Sequence, residues 1–178
     1  MLLNAKKLSF LGLLLACAVI LVILGNVLEF NTLFLLAGAS FSVGIAIREN
    51  GLRIGAGFYI ASILLTLLLA PNKLYCITFA AMGFYLVMAE FTFNKLNFVK
   101  WNTNKRKLFL WIIKFIVFNI MYIPIMIFLP KLFYQGQLNS GLSVVLFFGG
   151  QVALLIYDKA YDYFQRFVWG RIRVKLHL

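Results

Sequence analysis

The sequence predicts an all-α integral membrane protein, a bundle of about six transmembrane helices with both ends in the cytoplasm. Three observations carry that expectation: the composition, the length of the apolar runs, and the uneven distribution of the cations. Of the 178 residues, 63% are hydrophobic and 12% charged. An ordinary soluble domain carries roughly a quarter charged residues, so water is not the solvent for most of this surface. The stretches between apolar runs are short and none has a core pattern of its own, so residues 1–178 read as one transmembrane domain.

The elements follow in order. Helices are expected at about 8–28, 30–47, 54–70, 74–93, 108–129 and 141–164, with a basic tail at 165–178. A helix rises 1.5 Å per residue, so about 20 apolar residues cross a hydrocarbon core of about 30 Å, and each run is of that order. In lipid every backbone N–H and C=O must find its partner within its own segment, which favours helices. A barrel would need alternating strands of about ten residues, and that pattern is lacking. The first run starts after Lys6 and Lys7 and stops before Glu29; the second ends at Glu49-Asn50-Gly51. The third, rich in Gly and Ala, is the shortest uninterrupted run and leaves a re-entrant segment as its alternative. Pro71-Asn72-Lys73 separates it from the fourth, and the fourth and sixth continue past Glu90 and Asp158. Pro124 lies inside the fifth run, where a proline removes one hydrogen bond and favours a kink.

Charge sets the orientation. With the N-terminus inside, the inner segments hold Lys6, Lys7, Arg48, Arg53, Lys95, Lys100, Lys105, Arg106, Lys107, Arg166, Arg171, Arg173 and Lys175, and the outer loops only Lys73 and Lys131. Retention of Lys and Arg on the cytoplasmic side predicts such a bias. The net charge of +12 does not indicate a nucleic-acid partner, because the cations flank helix ends and no folded basic domain presents them. The partner implied is the lipid bilayer, with the basic, aromatic-interleaved tail lying along anionic headgroups. Lys6 and Lys7 before an apolar run, with Leu14-Leu15-Ala16-Cys17, look like a lipoprotein signal. The run continues to Leu28, too long for a cleaved segment, so retention is the expectation.

Catalytic chemistry is poorly supplied. The only His is His177 in the tail, and the two cysteines, Cys17 and Cys76, fall within apolar helices, where Cys behaves as a small apolar residue. Zinc sites need three or four converging ligands, and no such pattern exists, so no metal, cofactor or catalytic residue is expected and the chain reads as a non-enzyme. What remains is a short set of polar groups at membrane depth, where they are costly and therefore informative. Glu90, Lys114 and Asp158 all fall in the inner third of the bilayer. Glu90 and Asp158, or Asp162 one turn on, are expected to neutralise Lys114 and pin the fourth, fifth and sixth helices together; a proton or ion relay is the alternative. Asn119 and Gln151 come out near the midplane on antiparallel helices, as a hydrogen-bonded pair or as the floor of an outward cavity. On the outer side Asn26, Glu29 and Asn31, then Asn72, Lys73 and Tyr75, then Tyr134, Gln135, Gln137 and Asn139 are candidates to converge on one substrate-binding mouth, although loop tips are polar in any case.

Six short helices in about 180 residues, with both termini inside and basic inner loops, resemble the substrate-binding S components of energy-coupling factor (ECF) vitamin transporters. In that family the first helix carries small residues four apart that dock on the transmembrane T component. The stretch Gly12-Leu13-Leu14-Leu15-Ala16 is similar, with Gly where the family has its first Ala. The resemblance implies a membrane-embedded substrate-capture subunit for a vitamin-like small molecule, a T component with ATPase subunits as partners, and Gly12 and Ala16 as the docking pair. The first outer loop, 29–31, is shorter than the ligand-covering loop of many S components. Segments such as Asn31-Thr-Leu-Phe-Leu-Leu and Ala70-Pro-Asn-Lys-Leu-Tyr also resemble bacterial membrane proteins of this size, which implies a bacterial cell membrane. The readings from other classes are a structural or regulatory membrane subunit that binds a protein partner, and an intramembrane enzyme acting on a lipid or prenyl substrate through Asp158 and Asp162.

Overall fold

The computed structural model describes residues 5–28, 31–97, 102–128 and 140–176. They form α1 (Ala5–Val27), α2 (Thr32–Asn50), α3 (Leu52–Leu69), α4 (Lys73–Asn97), α5 (Thr103–Phe128) and α6 (Ser140–Tyr163). A π-helical segment, Phe164–Trp169, prolongs α6 and leads into α7 (Gly170–Leu176). Among the described residues six helices are long and apolar enough to cross a membrane, the sixth being the continuous stretch Ser143–Val174. The third run is a full helix of 18 residues. α4 extends to Asn97 and α5 starts at Thr103, each several residues beyond its apolar run. By contacts the chain forms two compact units, Met1–Leu110 and Trp111–Leu178.

In the first unit α2 is the central helix, packed on α1, α3 and α4. Its residues from Ala39 to Ile47 are all buried, and Ala39, Ser40, Ser42, Gly44 and Ala46 are small. A helix apolar all round belongs inside, and small side chains let three neighbours approach it closely. The hydroxyl of Ser40 donates back to the Ala37 carbonyl at 2.6 Å, so burying it leaves no unpaired donor. The reversal from α2 to α3 is made by Gly51 alone, at φ +85°, the left-handed region that glycine enters without a Cβ penalty. Its N–H closes the last turn of α2 on the Ile47 carbonyl at 2.8 Å. The hairpin then closes backbone on backbone, since a Cβ on Gly55 would stand 2.6 Å from Ile47 Cα. Farther along, a Cβ on Gly83 of α4 would stand 2.6 Å from the ring of Tyr59 of α3, whose hydroxyl donates to the Ala80 carbonyl at 2.6 Å. Leu11, Val22, Leu36, Val43, Phe58 and Phe79 fill the core among these helices.

The second unit contains most of α5, with α6, the π-helical segment and α7. α5 and α6 run antiparallel: Lys114 meets Asp158, Asn119 meets Gln151, and Tyr122 meets the carbonyl of Leu146. Tyr122 is the one buried residue of α5 among those described. Its ring stacks on Phe118 with centroids 5.0 Å apart and lies in a notch at Gly150, where a Cβ would be 2.7 Å from Tyr122 Cε1. Large apolar side chains cover the rest of α5, among them Ile112, Phe115, Ile116, Ile120 and Ile127, all exposed. A surface of that make-up is suited to lipid tails.

Candidate functional site

The polar residues expected at the outer mouth are partly brought together. Asn26 Oδ1, at the end of α1, accepts from the backbone N–H of Asn72 at 2.9 Å, and Asn26 Nδ2 donates to the Val22 carbonyl at 2.8 Å. Asn72 Oδ1 in turn accepts from the N–H of Leu74 at 3.0 Å and so covers the start of α4. Lys73 Nζ donates to the carbonyls of Ala70, at 2.9 Å, and Leu67, answering the free carbonyls at the end of α3. Thr32 Oγ1, unremarked in the sequence, donates to the Gly25 carbonyl at 3.0 Å and ties the start of α2 to the end of α1. Tyr75 is half-buried against the core and Asn31 is exposed. Glu29, Tyr134, Gln135, Gln137 and Asn139 lie outside the described residues. Asn26, Asn72 and Lys73 therefore all serve helix ends.

Among the described residues, the buried carboxylates Glu90 and Asp158 each meet a cation. Glu90 of α4, 4% exposed, receives Arg48 of α2 through Nε at 2.7 Å and Nη2 at 2.5 Å. Lys114 Nζ lies 2.6 Å from Asp158 Oδ1 and 5.9 Å from the centroid of the Trp111 ring. Glu90 is thus paired with Arg48, and Lys114 with Asp158, one of the acidic residues expected beside it. Asp162, one turn further along α6, is half-buried. Arg48 was the residue missed. It reads from sequence as a flanking cation, yet α2 and α4, separated by one intervening helix, run parallel, and Arg48 and Glu90 both fall toward their C-terminal ends, which was signal enough to place Arg48 beside Glu90.

The amides of Asn119 and Gln151 pair reciprocally, Gln151 Nε2 to Asn119 Oδ1 at 2.9 Å and Asn119 Nδ2 to Gln151 Oε1 at 3.4 Å. Asn119 Nδ2 also donates to the Phe115 carbonyl at 2.9 Å. Gly12 and Ala16 stand on the exposed side of α1, beside Leu13 and Cys17, and a Cβ added to Gly12 would meet nothing within 4 Å. Neither small residue is used to pack α1 on a neighbour. Among the described residues no three His, Cys, Asp or Glu side chains gather where they would hold a metal ion.

Six helices long and apolar enough to cross a membrane, with large apolar side chains exposed along them, define the class: an all-helical protein with the make-up of a multi-pass membrane protein. Comparison of the chain with family models, curated proteins and solved structures gives no match.

Proposed function

We propose that the chain crosses a bacterial cell membrane six times with both termini in the cytoplasm, and that it is the substrate-capture subunit of a small-molecule uptake transporter. The observation that supports it is the open face of α1. Gly12 and Ala16 are four residues apart, share a side of the helix and are exposed, leaving a shallow strip onto which another transmembrane helix fits at close range. In the ECF transporters that the sequence resembles, such a face receives the T component, which carries the ATPases. The ligand, a vitamin-like small molecule, enters from the outer side, at the end where Asn26, Asn31, Asn72, Lys73 and Tyr75 fall, with Glu29 between the first two in sequence.

A second reading is a structural or regulatory membrane subunit with a protein partner and no small-molecule ligand. The full engagement of Asn26, Asn72 and Lys73 in helix-end hydrogen bonds favours it, as does the mutual pairing of Asn119 and Gln151. Native mass spectrometry of the gently purified protein separates the two. A T component with ATPases, or a retained small molecule, supports substrate capture; a different stable protein partner with no ligand supports the second. Gly12→Leu with Ala16→Leu tests the face itself: the isolated variant should melt as the wild type does, because Gly12 has room, while co-purification of the partner is lost. Wild-type recovery of the partner by that variant would remove the face from the proposal.

A further inference from the structure

The helix begun by α6 does not stop where its apolar run does. Its joints with the π-helical segment and α7 keep helical backbone angles, φ −63° and ψ −48° at Tyr163 and φ −54° and ψ −39° at Gly170, so the chain through Leu176 continues α6. The continuous stretch Ser143–Val174 has 32 residues. At 1.5 Å per residue that is about 48 Å, well past a hydrocarbon core of about 30 Å. The excess falls at a basic end: residues 159–176 hold Lys159, Arg166, Arg171, Arg173 and Lys175 against Asp162 as the one acid. The two sides of this extension differ. Tyr161, Gln165 and Trp169 are buried, while Lys159, Tyr163, Phe167 and Arg171 are exposed, and both sets advance by four residues. In an α-helix such steps drift by about 40° each. The π-helical turns of Phe164–Trp169 take more residues per turn and offset that drift, and the rings of Tyr163 and Phe167 stack with centroids 4.8 Å apart. Toward the N-terminus the same side of α6 carries Phe148, Val152 and Ile156, all exposed. Gln151 and Asp158, the polar seam toward Asn119 and Lys114 of α5, lie on another side. One exposed strip thus passes from apolar side chains to an aromatic pair set between cations.

We propose that this strip binds one anionic phospholipid of the cytoplasmic leaflet, a proposal that rests on the reading that α6 crosses the membrane with its C-terminal end inside. The acyl chains lie along Phe148, Val152 and Ile156, and the phosphate meets Lys159 and Arg171 around the phenol of Tyr163. Lys159 and Arg171 are twelve residues apart, about 18 Å along the helix, a span that two extended cationic side chains and a headgroup between them can fill. Two observations select that occupant. Aromatic rings with a polar edge belong at headgroup level, and cations there attract anionic lipid. An acidic protein would match the cations, but not the apolar continuation of the strip along α6. The reverse side of the extension is buried as far as Trp169, so the cations are presented at a fixed spacing and not on a free basic tail.

Native mass spectrometry of the full-length protein, released from nanodiscs made of equal amounts of phosphatidylglycerol and phosphatidylcholine, tests the site. The wild type should retain phosphatidylglycerol several-fold over phosphatidylcholine. Lys159→Gln with Arg171→Gln should lose that preference, whereas Lys105→Gln with Lys107→Gln, which removes the same charge from exposed positions at the start of α5, should keep it. A wild type without preference overturns the proposal, and that comparison needs no variant to fold. A preference that survives Lys159→Gln with Arg171→Gln, or that falls equally in both double variants, overturns it as well. So does an acidic protein that co-purifies with the wild type and is lost from Lys159→Gln with Arg171→Gln while lipid retention is unchanged. Failure of the wild type to enter nanodiscs at all would remove the membrane-spanning reading and the site with it; insertion without lipid preference removes the site alone.

Discussion

Gly149 and Gly150 are adjacent in sequence and opposite in role. A Cβ at Gly149 meets nothing within 4 Å, whereas one at Gly150 runs into the ring of Tyr122. Gly150→Ala should therefore lower the thermal midpoint in detergent, by the equivalent of about 1–3 kcal/mol for an overpacked contact. Gly149→Ala should leave it unchanged or raise it slightly, since alanine is the better helix former. Equal melting of the two variants would argue that Tyr122 does not occupy the notch. Lys114 allows a second test at this scale. Its side chain is 16% exposed and that of Asp158 only 4%, so Lys114→Met leaves a carboxylate buried without its cation, a loss of about 3–5 kcal/mol. Lys114→Met combined with Asp158→Leu should regain most of that loss. If the double variant is no better than the single one, the two groups are not coupled. A charge in a run such as Leu108 to Leu129 announces itself in any sequence, but its partner does not. Placing Asp158 beside it required the register of one helix on another.

At the scale of the element, burial separates helices that look alike as strings. α2 and α5 are both apolar enough to span a membrane, yet α2 is buried from Ala39 to Ile47 while α5 buries Tyr122 alone among its described residues. Small residues on every side of α2 admit three neighbours; Phe, Ile and Trp around α5 present bulk that suits lipid tails. That contrast is legible in composition once it is looked for. The π-helical segment is not, because nothing in Phe164-Gln-Arg-Phe-Val-Trp distinguishes it from an α-helical continuation. The α5–α6 hairpin is held by its seam, and the amide pair contributes on the scale of about 0.6 kcal/mol, typical of polar contacts between transmembrane helices. A double-mutant cycle on Asn119→Leu and Gln151→Leu should return a coupling of that order and of stabilising sign. A coupling of zero would mean that each amide is served equally well by its own helix, as Asn119 already is through the Phe115 carbonyl.

For the whole molecule the open question is orientation in the bilayer, and the cation bias makes it testable. A cysteine replacing Thr103, in a background with Cys17 changed to Ala, should resist membrane-impermeant thiol reagents added outside intact cells, and one replacing Gln137 should react. The opposite labelling pattern would invert the topology. Retaining the buried Cys76 in that background keeps its contact with the Thr66 carbonyl, at 3.3 Å, intact.

The sequence by itself determined the helical class, the number of apolar spans and the polar groups that matter, because solvent exclusion acts on composition and run length, and both are local properties of the chain. It also marked the stops at Gly51 and at Pro71-Asn72-Lys73, where local backbone chemistry decides. Only the tertiary structure decided that Glu90 takes Arg48 while Lys114 takes Asp158, that Asn26 and Asn72 join two helix ends, and that Gly12 and Ala16 stay uncovered while Gly55 and Gly150 are pressed against neighbours. Each of these depends on the rotation and sliding of one helix against another. In lipid, where apolar faces are all equally at ease, that register is set by a few close contacts between residues far apart in the chain.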